Sequence, residues 1–207
     1  MAETRALYFV HEEIPPENRE EAGAYFTSIL HGDRPLIVEI GSGNGHFLVE
    51  QAILHPDIGF VGTEILGGRA RKFASKIEKR ALENVVVFKG DARRFVWEFL
   101  HEEMVREFIL MFPDPWPKKR HHKHRIVQQA FIGMLRQRLE PGGIVSVITD
   151  HGDYRDHVME EFDKAGGFIS LIEGGYAPYG GDESESLFEK KFREWKRDIF
   201  HMRYRKA

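Results

Sequence analysis

A chain of 207 residues, 42% of them hydrophobic, is long enough to bury the core of one α/β domain. It has no cysteine, which excludes a disulfide framework and a thiolate metal site. The net charge of −3 provides no overall attraction for a polyanion, but the cations are segregated, one cluster at 118–125 and another from Lys190 to Lys206, and a local field can act where the total does not. No apolar leader and no long apolar run is present, so a soluble, cytoplasmic protein without a membrane partner is expected.

The first 34 residues are polar and weakly patterned and read as an arm. Within them Ile14-Pro15-Pro16 marks a break, and a helix is predicted over 17–30. Residues 35–207 read as a single domain in which strand and helix alternate. Leu36 to Ile40 is a short apolar run that ends at glycine, the pattern of a buried parallel strand. Gly41-Ser42-Gly43-Asn44-Gly45 follows, then a helix over 46–55 stopped by Pro56. Strands are predicted at 59–64, 85–89, 108–111, 144–149, 168–172 and 199–205. Helices are predicted at 67–81, 92–100, 126–139, 154–165 and 187–196. The helix over 126–139 places Ile126, Val127, Ala130, Phe131, Met134, Leu135 and Leu139 on one face. Such alternation specifies a doubly wound, mostly parallel sheet of seven strands with helices on both faces.

In sheets of this kind ligands bind beyond the carboxyl ends of the strands. Glu39, Glu64, Asp91, Asp114 and Asp150 each lie at or just past such an end. The glycines at 41, 43 and 45 allow backbone to approach a ligand closely. Glu64, some twenty residues on, is placed to accept from two ribose hydroxyls, as in a dinucleotide or another adenosine cofactor. Glu39, two residues before Gly41, suits a cationic ammonium or sulfonium and would repel a pyrophosphate. Asp91 can accept from an adenine amino group. Together these favour S-adenosylmethionine over NAD.

Between the fourth and fifth strands runs Phe112-Pro113-Asp114-Pro115-Trp116-Pro117-Lys118-Lys119-Arg120-His121-His122-Lys123-His124-Arg125. Three prolines stiffen its first half and are expected to hold the residues before them extended. Its second half is a dense cationic run, read as an extended loop. A carboxylate, an indole and a block of cations together suit a polyanion that carries flat bases. The histidines do not form a metal site on this reading, because adjacent side chains of an extended loop point apart and cations surround them. They are expected on RNA phosphates instead.

The Glu-x-Gly-x-Gly-x-Gly pattern with its two later acids resembles class I methyltransferases. The run from Phe112 to Arg125 is similar to the signature of the bacterial tRNA (guanine-N7)-methyltransferase family, the TrmB family. Thr149-Asp150 and Ser186-Leu187-Phe188-Glu189 resemble two further motifs of that family, although Ser186 stands where threonine is usual and Thr63 where an apolar residue is common. The resemblance implies a Rossmann-like class I fold, S-adenosylmethionine as cofactor and methylation of guanosine N7 at position 46 in the tRNA variable loop. It implies that Glu39, Gly41, Gly43, Gly45, Glu64, Asp91 and Asp114 meet the cofactor and that Asp114 is catalytic. Lys118, Asp150, Ser186, Phe188 and Glu189 would meet the substrate base. Lys119, Arg120, His121, Lys123, His124 and Arg125 would meet RNA. A monomer or a homodimer is equally compatible. Other readings are a methyltransferase acting on an exocyclic amine, an NAD-linked oxidoreductase, and a non-catalytic RNA-binding protein on the same fold.

Overall fold

A computed structural model describes residues 8–10, 34–179 and 198–207, the first three as backbone only. The helices expected at 17–30 and 187–196 lie outside the described residues. The chain forms two compact units, residues 1–101 and 102–207.

The first unit is built on four parallel strands: β1 (Tyr8–Val10), β2 (Leu36–Ile40), β3 (Gly59–Glu64) and β4 (Val85–Lys89). Their order is β1-β4-β3-β2, so β3 lies between two neighbours, and all six of its residues are buried. That burial suits Phe60 and Val61 and makes the polar Thr63 and Glu64 at its end exceptional. Helices α1 (His46–Leu54), α2 (Gly67–Lys79) and α3 (Ala92–Phe99) follow β2, β3 and β4 in turn. In α2 the buried positions are Ala70, Phe73, Ala74 and Ile77, spaced as one helical face, while its arginines and most of its lysines are exposed. Phe88 of β4 packs on Phe95 and Phe99 of α3, with ring centroids 4.8 and 5.1 Å away. Asn84 is buried, and its amide donates to the carbonyls of Ala52, His55 and Ile58, each at 3.0 Å. It thereby ties the end of α1 to the start of β4.

The second unit contains β5 (Val105–Met111), β6 (Leu139–Thr149), β7 (Phe168–Ser170), β8 (Ala177–Pro178) and β9 (Phe200–Lys206). β5 and β6 are parallel, while β9 runs antiparallel to β6, β7 and β8. Helix α4 (Gln129–Arg138) joins β5 to β6, and α5 (Gly152–Ala165) follows β6. The core here includes Phe108, Leu110, Phe131, Leu135, Val145, Val147, Val158 and Met202, all buried. Phe162 of α5 stacks on Tyr204 of β9 with centroids 3.9 Å apart and the ring planes nearly parallel.

The seven expected strands are all present, and two more join them. Tyr8–Val10 pairs with β4 inside the segment read as an arm, and Ala177–Pro178 pairs with β9 inside the glycine-rich loop. Both are too short to announce themselves by periodicity. β6 begins five residues early, at Leu139, because Pro141-Gly142-Gly143 forms an irregular stretch in the strand rather than a free loop. The expected face of α4 is partly wrong: Ala130 is exposed and Ile132 is buried.

Candidate active site

In the first unit the glycine segment between β2 and α1 carries three left-handed residues, Gly41, Gly43 and Gly45, with φ of 78°, 57° and 67°. Gly45 is needed twice over. A Cβ there would lie 2.0 Å from the ring of Phe73, and one at Gly62 would lie 2.4 Å from the same ring. Phe73 of α2 is therefore the floor on which the loop rests. Lys76, one turn on, donates to the Asn44 carbonyl at 2.7 Å. Burial, and then the nearby Arg80, pull the Lys76 ammonium down to about 8.

Thr63, noted in the sequence only as a departure from an apolar pattern, has a role at this loop. It is buried, its hydroxyl donates to the Glu39 carbonyl at 3.3 Å, and the same oxygen accepts from the Gly41 N–H at 3.3 Å. Its own carbonyl accepts from the backbone and hydroxyl of Ser42 at 2.8 and 3.2 Å. A valine would pack as well and keep the carbonyl, but it would lose the two bonds of the hydroxyl, to the Glu39 carbonyl and from the Gly41 N–H. The only cue in the sequence was the anomaly itself, a polar residue in a buried strand.

Glu39 is 4% exposed, and its Oε2 is buried with no hydrogen-bond partner among the described residues. Loss of hydration, and secondarily the nearby Glu64, push its carboxyl up to about 8. An orphaned carboxylate oxygen beside a left-handed glycine loop is a donor set for a cation, and it fits the sulfonium or ammonium of S-adenosylmethionine. Glu64 is also buried, and one of its oxygens accepts from the Leu66 N–H at 2.7 Å. Asp91 caps α3: its Oδ1 accepts from the backbone of Arg93 and Arg94 at 2.8 and 3.2 Å. This oxygen has a structural duty that the sequence reading did not assign.

In the second unit Asp114 is exposed on the segment that leaves β5. Among the described residues only Ala81, Glu103, Phe112 and Trp116 combine a side chain with positive φ, and the last two bracket Asp114. Their φ values are 49° and 42°, and both precede proline. The expectation of an extended backbone there is corrected: proline bars the right-handed region to its predecessor, and these two residues escape to the left-handed one. Each such residue costs about 1–3 kcal/mol, a strain typical of segments shaped for a ligand.

The cationic run is likewise not extended. Lys119–His124 forms a 3-10 helix. Lys119, Arg120 and Lys123 on it are exposed, as is Lys118 just before it. Arg125 is different and corrects the reading of it as an RNA contact. It is 1% exposed, donates from Nε to the Pro115 carbonyl at 2.9 Å, and pairs with Asp153 at the start of α5. Its other contacts are His122 Nε2 at 3.0 Å and the face of Tyr154 at 5.4 Å. The guanidinium holds the Asp153 carboxyl below its usual range. A buried arginine tied to the Asp114 segment is a brace, not a phosphate ligand. Asp150 stands just after β6, and the next N–H, that of His151, bonds to Thr149 Oγ1 at 3.2 Å. Ser186, Phe188 and Glu189 lie outside the described residues. Among the described residues no His, Asp or Glu side chains gather into a metal-binding group, and no helix is long and apolar enough to cross a membrane.

Solved structures with this fold include a 30S ribosomal A1408 methyltransferase from an uncultured bacterium, with a TM-score of 0.66 and 16% identity over 89% of this chain and 94% of that one. Another is a SAM-dependent methyltransferase from Aquifex aeolicus, with a TM-score of 0.60 and 14% identity over 95% and 92%. The fold is thus the Rossmann-like class I methyltransferase fold. Residues 33–202 match the model of a family described as "Putative methyltransferase". A tRNA (guanine-N(7)-)-methyltransferase of Chromohalobacter salexigens is 40% identical over 151 residues, 72% of this chain and 61% of that protein's length. One of Alkalilimnicola ehrlichii is 34% identical over 172 residues, 83% of this chain and 73% of that protein. The chain belongs to the tRNA (guanine-N7)-methyltransferase family.

Proposed function

We propose that this chain transfers the methyl group of S-adenosylmethionine to N7 of guanosine 46 in the variable loop of tRNA, giving 7-methylguanosine. The observation that carries the reading is the buried, unpartnered Glu39 oxygen beside the glycine loop, which calls for a cationic ligand at that place. The family's span of 33–202 supports taking 35–207 as one methyltransferase domain, working in the cytoplasm where tRNA is found.

S-adenosylmethionine supplies an electrophilic methyl group on a sulfonium. Gly41, Gly43 and Gly45 would present backbone to it, Glu39 would balance its positive charge, and Glu64 and Asp91 would accept from its ribose and adenine. Guanine N7 keeps an in-plane lone pair at neutral pH, so no general base is required. The purine would gain positive charge as N7 bonds the methyl carbon and the carbon–sulfur bond breaks, with a neutral thioether as the leaving group. Asp114 stabilises that charge and orients the base, a positioning and electrostatic role without proton abstraction. Lys118, Asp150, Ser186, Phe188 and Glu189 contact the base or its nucleotide, and Lys119, Arg120 and Lys123 take flanking phosphates.

Nucleoside analysis of tRNA incubated with the protein and methyl-labelled cofactor tests this reading. The label is expected in 7-methylguanosine. Label on an exocyclic amine, or none, overturns it.

A further inference from the structure

The 3-10 helix over Lys119–His124 has a consequence for its histidines. At three residues per turn, His121 and His124 eclipse one another and share a face. Both rings meet Trp116, with centroids at 5.8 Å edge-on and 5.2 Å tilted, and they lie 6.1 Å from each other. The three rings form one cluster, yet it is not core. Trp116 is 37% exposed, His124 is exposed and His121 is half-buried. The cluster is also held in place. Trp116 is in the left-handed region, and the carbonyl of Pro115 just before it is fixed by the buried Arg125. Packing alone does not explain a strained, braced indole that keeps more than a third of its surface exposed.

His121 has one ring nitrogen already committed within the chain: its Nε2 accepts from Arg120 Nε at 3.2 Å. Phosphates have better partners nearby in the exposed Lys118, Lys119 and Lys123. Exposed aromatic faces set among cations are the combination that binds single-stranded nucleic acid, with stacking for bases and lysines for the backbone.

We infer that Trp116, His121 and His124 form an aromatic platform on which one unpaired base of the RNA stacks, while the lysines around it hold the neighbouring phosphates. This rests on the tRNA reading and adds to it a base-binding surface, with histidines that act as rings and not as charges.

The test is the salt dependence of tRNA affinity. Trp116→Ala and His124→Ala should each raise Kd by about 5- to 100-fold while leaving the slope of log Kd against log salt unchanged. His124→Phe should restore most of the affinity, because it keeps the ring and lacks the charge. Lys119→Gln with Lys123→Gln should instead flatten the slope by roughly 0.7–0.9 per lost phosphate contact. Wild-type affinity in His124→Ala, or a slope that falls in His124→Ala and stays low in His124→Phe, overturns the platform. Failure of the underlying reading looks different: the wild-type protein would then bind tRNA no better than an unrelated duplex of the same length.

Discussion

Glu39 in the first unit and Arg125 in the second are both charge-bearing groups taken almost wholly out of water, at 4% and 1% exposure. Their surroundings are opposite. Arg125 has the Pro115 carbonyl, the Asp153 carboxylate, His122 and the Tyr154 ring. The Oε2 of Glu39 has no hydrogen-bond partner among the described residues, and Glu64, whose charge acts on the group, has the same sign. A buried charge that is paired and hydrogen-bonded belongs to the architecture, since removing either partner is what would be costly. A buried polar atom left unpaired is a standing cost, and it persists where something outside the chain completes it. The contrast separates a brace from a ligand site, although both residues are acids or bases in motif positions.

The segment that Arg125 braces carries Asp114, where the largest effect is expected. Asp114→Asn keeps the shape and removes the charge. In single-turnover methyl transfer with tRNA and cofactor saturating, the rate should fall about 10²–10³-fold, the cost of one lost electrostatic contact in a closed site. Cofactor affinity should change much less. The residual rate should be nearly flat from mildly acid to mildly basic pH, because no proton leaves N7. Wild-type turnover in this variant would take the chemistry off the braced segment.

Arg125 itself comes next. Arg125→Met keeps the stem and loses hydrogen bonds made by a charged donor, each contributing about 1.5–3 kcal/mol. Denaturant unfolding should show a loss of about 3 kcal/mol, and turnover should fall although Arg125 need touch no substrate. The salt slope of tRNA binding should stay where it was. A reduced slope with unchanged stability would return Arg125 to the phosphate contacts and break the distinction drawn from its burial.

The two regions also differ in how far the sequence disclosed them. Leu36–Ile40, Gly59–Glu64 and Val85–Lys89 are strands with the expected bounds, because runs buried on both faces carry a strong apolar signal and end at glycine or acid. Glu39 and the glycine loop were legible for the same reason: their place is fixed by a strand end. Arg125 was not. A composition of lysines, arginines and histidines states that a surface is cationic, but it does not state which cation turns inward. That depends on a 3-10 turn and on Asp153 and Tyr154, about thirty residues away in the chain. The left-handed φ of Phe112 and Trp116 is not legible in the sequence, because proline's effect on its predecessor is a preference and not a rule. Thr63 was seen as an anomaly without its meaning, since its two partners, the Glu39 carbonyl and the Gly41 N–H, come from the adjacent strand and loop.

The smallest of the three effects is a pH dependence in the first unit. With its carboxyl at about 8 instead of 4.5, Glu39 keeps in the folded protein a proton that the unfolded chain gives up. The sign follows from linkage: without ligand, stability falls as pH rises between about 4.5 and about 8, and is flat with respect to this group above that. Cofactor affinity should run the other way. If a cationic ligand pairs with ionised Glu39, the proton must leave first, so affinity should rise by up to about tenfold per pH unit below 8 and level off beyond it. Lys76 also titrates near 8, and Arg80, Glu50 and Lys72 all act on it, so the rise must be assigned to its source. Calorimetric titration of S-adenosylmethionine at pH 6.5, 7.5 and 8.5 provides the measurement. Glu39→Gln should bind weakly at every pH, lose the rise, and unfold at a higher temperature than wild type at pH 8 without cofactor. Lys76→Met should weaken binding modestly, through the lost hold on the Asn44 carbonyl, and keep the rise. A rise that survives in Glu39→Gln and vanishes in Lys76→Met would move the titrating group to the lysine and remove the reason for treating Glu39 as the unfinished half of an ion pair.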